Sequence, residues 1–100
     1  MAWSSRDFDG DSRRMRSQEG EADAAQAVRM RIAAQIRRLR AVRHMSQEGL
    51  AQRAGLAVRH VQKIEAGEVN VTVATLVVMA ICLGVDVATL FLDPKESSDS

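Results

Sequence analysis

From about residue 23 to residue 93, apolar positions recur at steps of three and four, the period of an amphipathic helix. Ala25, Val28, Ile32, Ile36, Leu39 and Val42 form one stripe and predict a long first helix. Asp23, with Gln26 three residues on, is placed to cap its start. A single device then repeats: a small or polar cap residue, an apolar residue just before it, and another four positions after it, the hydrophobic staple. Ser46 has Met45 and Leu50, Ala57 has Leu56 and Val61, Thr72 has Val71 and Leu76, and Asp86 has Val85 and Leu90. These staples predict helices over 46–54, 57–66, 72–83 and 86–92. Gly55, Gly67 and Gly84 stand where a helix-ending left-handed residue is wanted. VNVTV and LVVMAI have strand propensity, but the staples and glycine stops outweigh it. The expected fold class is all-α, five helices and no sheet.

The flanks lack this period. Residues 1–22 alternate Ser, Arg, Asp, Gly and Gln and predict a flexible N-terminal arm, residues 23–93 a single domain, and residues 94–100 a polar tail. Trp3 and Phe8 are unusual in such an arm, since solvation has no use for large aromatics; a site for a protein partner and mere chance both fit them.

Composition narrows the function classes. One hundred residues make one domain, and a core of that size gains stability from dimerisation. A single cysteine, Cys82, excludes a disulfide framework and a cysteine-rich zinc site, and with two histidines no metal site is expected. Aromatics at 3% are too few for a base-stacking single-strand binder. The absence of a long apolar run or an apolar N-terminal core leads to the expectation of no membrane partner and a cytoplasmic, nucleoid-associated location. No phosphate-cradling glycine loop or paired carboxylates occur, and His44 and His60 have no evident orienting acid, so no catalytic residues, no enzyme activity and no cofactor are expected.

Charge adds the sharper clue. Residues 1–24 carry four arginines against six acids. Residues 25–66 carry eight arginines and Lys63 against Glu48 and Glu65, and residues 67–100 carry Lys95 against five acids. A basic middle between acidic ends suits one face made for a polyanion, or else a solvated arginine-rich helix face.

The basic middle contains SQEGLAQRAGLAVRHVQKIEAG, Ser46 to Gly67. Two short helices joined across Gly55 and Leu56, with Leu50, Ala51, Ala54, Val61 and Ile64 inward, read as a helix-turn-helix. Ala51 and Ala54 permit close approach of the two helices, and Gly55 makes the sharp turn without steric cost. Residues 28–92 resemble the phage-repressor and Cro-like helix-turn-helix family (lambda-repressor-like, of the xenobiotic-response-element type). The resemblance is carried by Ile36, Arg37, Leu39, Arg40, Ser46-Gln47-Glu48, Leu50-Ala51, Gly55, Val61, Ile64-Glu65, Gly67, Leu76, Leu83-Gly84-Val85 and Leu90.

That resemblance implies a five-helix DNA-binding bundle whose helix 57–66 enters the major groove of double-stranded DNA. Val58, Arg59 and Lys63 match base-reading positions, with His60 and Gln62 as helpers. Arg59 is suited to guanine N7 and O6, and Val58 to a thymine methyl. Ser46 and Gln47 open the first motif helix toward a phosphate, and Arg43 and Asn70 join them as phosphate contacts. Arg40 and Glu65 match a salt bridge that ties the first helix to the recognition helix. A homodimer is implied, and the apolar C-terminal segment, Val85, Val87, Leu90, Phe91 and Leu92, is the expected interface. Four departures point to weaker or more partner-dependent DNA binding: Ala57 in place of a capping Ser or Thr, Gly49 in place of a helix former, Glu68-Val69 in a commonly basic loop, and Val71 in place of a common Pro. The alternative function is a protein-interaction adaptor or antitoxin-type protein that uses its arm and apolar surface. Cys82 reads as a small buried hydrophobe without basic neighbours, and Met30, Met45 and Met79 as packing residues. Arg37 and Arg38 read equally as phosphate contacts or as solvating charges.

Overall fold

A computed structural model describes residues 11–97, with side-chain environments for residues 20–95. Trp3 and Phe8 lie outside the described residues, and the expectations about them stay open. Among the described residues there is no strand. The helices are α1 (Asp11–Val42), α2 (Gln47–Ala54), α3 (Val58–Glu65), α4 (Val73–Leu83), a 3₁₀ helix (Val87–Phe91) and α5 (Pro94–Ser97). The all-α class holds, and three predicted boundaries change.

The first change is at the start. α1 begins at Asp11 and runs 32 residues, so residues 11–22, expected in the arm, continue the helix. Arg, Met, Gln, Glu and Ala are good helix formers, and they outweigh Ser12, Ser17 and the more costly Gly20. Periodicity marks a buried face, and from Gly20 to Ala27 every residue is exposed, so this part of the helix leaves no apolar period; Val28 is the first half-buried position after it. The second is near the C-terminus. The expected helix 86–92 is a 3₁₀ helix, its first turn tightened by Asp86, whose carboxylate accepts the Ala88 N–H at 2.8 Å. The third is in the expected polar tail, where Asp93 accepts the Lys95 N–H at 2.9 Å and Pro94 opens the short α5.

α1 stops at a residue that is not glycine. His44 adopts φ 54°, its N–H donates to the Ala41 carbonyl at 3.0 Å, and the Met45 N–H donates to the Arg40 carbonyl at 2.9 Å. That pair of bonds is a Schellman stop with histidine in the left-handed position.

One core joins the elements. Ile32, Ile36 and Leu39 of α1 meet Leu50 and Ala51 of α2, Val61 and Ile64 of α3, Leu76, Met79, Ala80 and Leu83 of α4, and Leu90. Gln35 is fully buried among them, and its amide donates to the Thr89 carbonyl at 2.7 Å. The 3₁₀ helix is thereby held to α1 by a polar contact as well as by Leu90. Met79 is core, whereas Met30 is 43% exposed and lies against Gly67.

Candidate nucleic-acid interface

The two motif helices are set by their ends. Ser46 caps α2, its hydroxyl accepting the Gly49 N–H at 2.8 Å. Gly55 closes α2 at φ 72°, and the Leu56 N–H returns to the Ala51 carbonyl at 2.9 Å. Ala51 is almost fully buried, and the missing bulk there lets α3 pack against α2. Ala57 opens α3 with no side-chain cap, as expected. Thr72 accepts the Thr75 N–H at 3.1 Å and caps α4.

On α3, Val61, Ile64 and Glu65 are buried. Val58 and His60 are half-buried, and Arg59, Gln62 and Lys63 are exposed. Positions 59, 62 and 63 share one face at helical spacing. Among the described residues these three make no side-chain hydrogen bond or ion pair. The face therefore presents a guanidinium, an ammonium and a carboxamide with donors uncommitted.

Behind it lies a polar lock. The Arg40 guanidinium grips the Glu65 carboxylate through two bonds, Nε to Oε2 at 2.6 Å and the second nitrogen to Oε1 at 2.9 Å. Arg40 also donates to the Met45 carbonyl at 2.8 Å, and the Gln47 amide donates to Glu65 Oε1 at 2.9 Å. Glu65 is buried, so its charge is held by partners from α1 and α2 instead of by water. Arg37, one turn before Arg40, donates to the Glu65 backbone carbonyl at the end of α3. Three helices are fixed around one carboxylate, and α3 cannot roll about its axis without breaking these bonds.

Residues 36–90 match the family described as helix-turn-helix. The chain belongs to the helix-turn-helix family. A solved structure of a hypothetical transcription factor from Neisseria is 33% identical, with a TM-score of 0.68, over 72% of this chain and 83% of its own. The restriction-modification controller protein C.AhdI from Aeromonas hydrophila is 31% identical at TM-score 0.63, over 65% of this chain and 98% of its own. A transcriptional regulator from Vibrio cholerae is 31% identical at TM-score 0.64, over 67% of this chain but only 38% of its own. A search of curated proteins finds no match.

Gln47, expected with Ser46 to open a helix N-terminus that faces a phosphate, turns its side-chain amide inward to Glu65 and keeps its backbone N–H in the first turn of α2. Asn70 is exposed with its side-chain oxygen held by Arg29 at 2.8 Å, which leaves its amide N–H groups as donors. Arg43 is exposed, and its guanidinium lies beside Gly84 at the end of α4. It shares a polar groove of about 480 Å³ with His44, Ser46, Gly49, Arg53, Ile81 and Cys82. Cys82, expected without basic neighbours, thus has Arg43 and Arg53 in its groove, and it is half-buried, not buried. In the expected dimer segment, Leu90 is fully buried in the protomer's own core and so contributes nothing to a surface. Val85 and Val87 pack half-buried against that core, while Phe91 and Leu92 are each 42% exposed.

Three positioning residues escaped the sequence: Gln35, Arg29 and the capping role of Arg37. Gln35 had a signal, because it stands at i+3 from Ile32 within the apolar stripe, where a polar residue needs a buried partner. Arg29 and Arg37 had none, since their partners are 41 and 28 residues away in sequence.

Proposed function

We propose that the protein is a transcription regulator that reads duplex DNA in a sequence-specific manner, with α3 seated in the major groove. The observation that carries this is the uncommitted face of Arg59, Gln62 and Lys63 on a helix whose rotation is locked by Arg40, Gln47 and Glu65. Such a face has the donors that base edges accept: Arg59 toward guanine, Gln62 toward adenine, and Lys63 toward guanine or a phosphate. Val58, half-buried at the start of α3, is a contact for a thymine methyl, and His60 stands beside it as a helper. The N-terminal turn of α2, with Ser46 and the Gln47 N–H, faces a phosphate, and Arg43 and Asn70 add donors for the backbone. The regulators that this chain resembles support the same function. A single recognition helix covers few base pairs, so two copies on a two-fold-related site supply the remaining specificity. The implied place of action is the cytoplasm, on the nucleoid.

Selection from a random-sequence duplex library tests this. The expected result is enrichment of one motif with two-fold-related halves, about one helical turn or a multiple of it apart. Recovery of unenriched sequence from wild type and Arg59→Ala alike would contradict it.

A further inference from the structure

Between α1, the start of α4 and the 3₁₀ helix lies an apolar groove of about 330 Å³, with Ala25, Val28 and Ile32 of α1 on one side and Val71, Val73 and Phe91 on the other. Its walls are open: Val73 is 72% exposed, Phe91 42%, and Ala25 is exposed as well. Arg29 and Asn70 also line it, but they are bonded to each other at 2.8 Å, so the groove offers an occupant carbon more than hydrogen bonds. A space of that size is at the small end of cavities that take a ligand, about 300–1,000 Å³, and suits one aromatic side chain.

The chain has such a side chain at the right distance. Residues 1–10 carry Trp3 and Phe8 and join α1 at Asp11. Asp9-Gly10, immediately before α1, is a turn dipeptide, and a reversal there sends the preceding residues back along the helix. From Asp9 to Trp3 is six residues, about 20–22 Å of extended chain. From Asp11 to Ala25 is fourteen residues, about 21 Å of helix. Trp3 thus comes level with Ala25, the groove's first residue on α1, whereas Phe8 stays beside the reversal. The return path is matched in charge: the returning segment carries Asp7 and Asp9 beside Arg6, and the α1 sequence it passes carries Arg13, Arg14 and Arg16 against Asp11 and Glu19. At the other end of the chain, residues 98–100 are Ser-Asp-Ser and have no apolar side chain to offer.

We propose that Trp3 of the chain's own N-terminal segment docks in this groove, its indole against Phe91 and Val73, so that residues 1–10 form a strap along α1. The indole buries apolar surface on both walls at once and pairs with the Phe91 ring. The contact shares no residue with the DNA-reading face of α3 and goes beyond that function.

Trp3 is the chain's single tryptophan and there is no tyrosine, so the intrinsic emission of the full chain reports this residue alone. Emission and acrylamide quenching test the proposal, with Ala25→Glu and Val73→Glu as variants from the two walls and Ile81→Glu as a control on α4 outside the groove. All three positions are exposed, so far-UV circular dichroism stays that of wild type. The expected result is a native emission blue-shifted from that of the urea-unfolded chain, quenched severalfold less efficiently, and unchanged on dilution. Each wall variant moves both readouts to those of the unfolded chain, because a buried carboxylate has no counter-charge there, and Ile81→Glu moves neither. A native emission already at the unfolded position overturns the proposal, as do wall variants that leave it unshifted. A blue shift that disappears on dilution overturns it too, since the groove then takes the segment of another copy.

Discussion

At the scale of single residues, the helix ends hold the sharpest information. His44 occupies a left-handed position that costs an L-residue roughly 1–2 kcal/mol, and glycine avoids most of that cost while losing more chain entropy on folding. His44→Gly therefore raises stability by about 0.5–1 kcal/mol in urea unfolding. Ala57 leaves the first N–H groups of α3 without a side-chain acceptor, so Ala57→Ser stabilises by about 0.5–2 kcal/mol. If Ala57→Ser leaves the urea midpoint where it was, the open cap is not a cost. Gly55 and Gly67 share φ 72°, yet a Cβ at Gly55 meets open space, whereas one at Gly67 overlaps the Met30 sulfur. The half-exposed Met30 side chain is flexible and swings away, so Gly67→Ala and Gly55→Ala each lose about 1–2 kcal/mol in urea unfolding, set by the shared left-handed φ; no loss at either position would refute that conformation. The left-handed glycines were legible in the sequence because glycine announces the conformation. His44 was not, since nothing in a histidine marks it as a helix stop; only the bonds from the Met45 and His44 N–H groups to the Arg40 and Ala41 carbonyls do.

At the scale of elements, the staples located α2, α3 and α4 to within a residue or so because each records a contact made at a helix start. They failed for the fifth element, where Val85, Asp86 and Leu90 are as compatible with a 3₁₀ turn as with an α-helix; the difference lies in the Asp86 bond to the Ala88 N–H. The early part of α1 was hidden because residues 20–27 are all exposed and leave no buried face for periodicity to mark. The polar lock was legible only as a family resemblance, since Arg40 and Glu65 are 25 residues apart. Its energetics are specific. Arg40→Met leaves the buried Glu65 charge with Gln47 and without a counter-ion, so it destabilises by about 3–5 kcal/mol in urea unfolding. Arg40→Met with Glu65→Leu recovers most of that loss, because the charge that needed a partner is gone. Additive losses in the double variant would mean that the pair does not act as a unit.

At the scale of the whole molecule, the charge segregation seen along the chain becomes a division of labour between surfaces. The basic middle supplies two kinds of arginine: Arg29, Arg37 and Arg40 are bound internally, while Arg59, with Lys63, is free on α3. Net charge alone could not separate these groups, because the sequence gives a charge but not its partner. The α4 face, by contrast, is uncharged and apolar, with Val73 and Ile81 turned to solvent, and offers nothing to a polyanion. Phosphate contacts make affinity salt-dependent whatever the sequence, while base contacts appear only in the difference between sequences.

That difference is what the most direct measurement isolates. It is the fluorescence anisotropy of the protein on a duplex from its own upstream region and on a scrambled duplex, over a salt series, with Arg59→Ala beside wild type. Wild type binds the native duplex more tightly, both complexes weaken as salt rises, and Arg59→Ala loses about 1–3 kcal/mol of discrimination with its fold intact. Equal affinity for the two duplexes, with Arg59→Ala indistinguishable from wild type, would contradict the assignment of α3 as the helix that reads DNA.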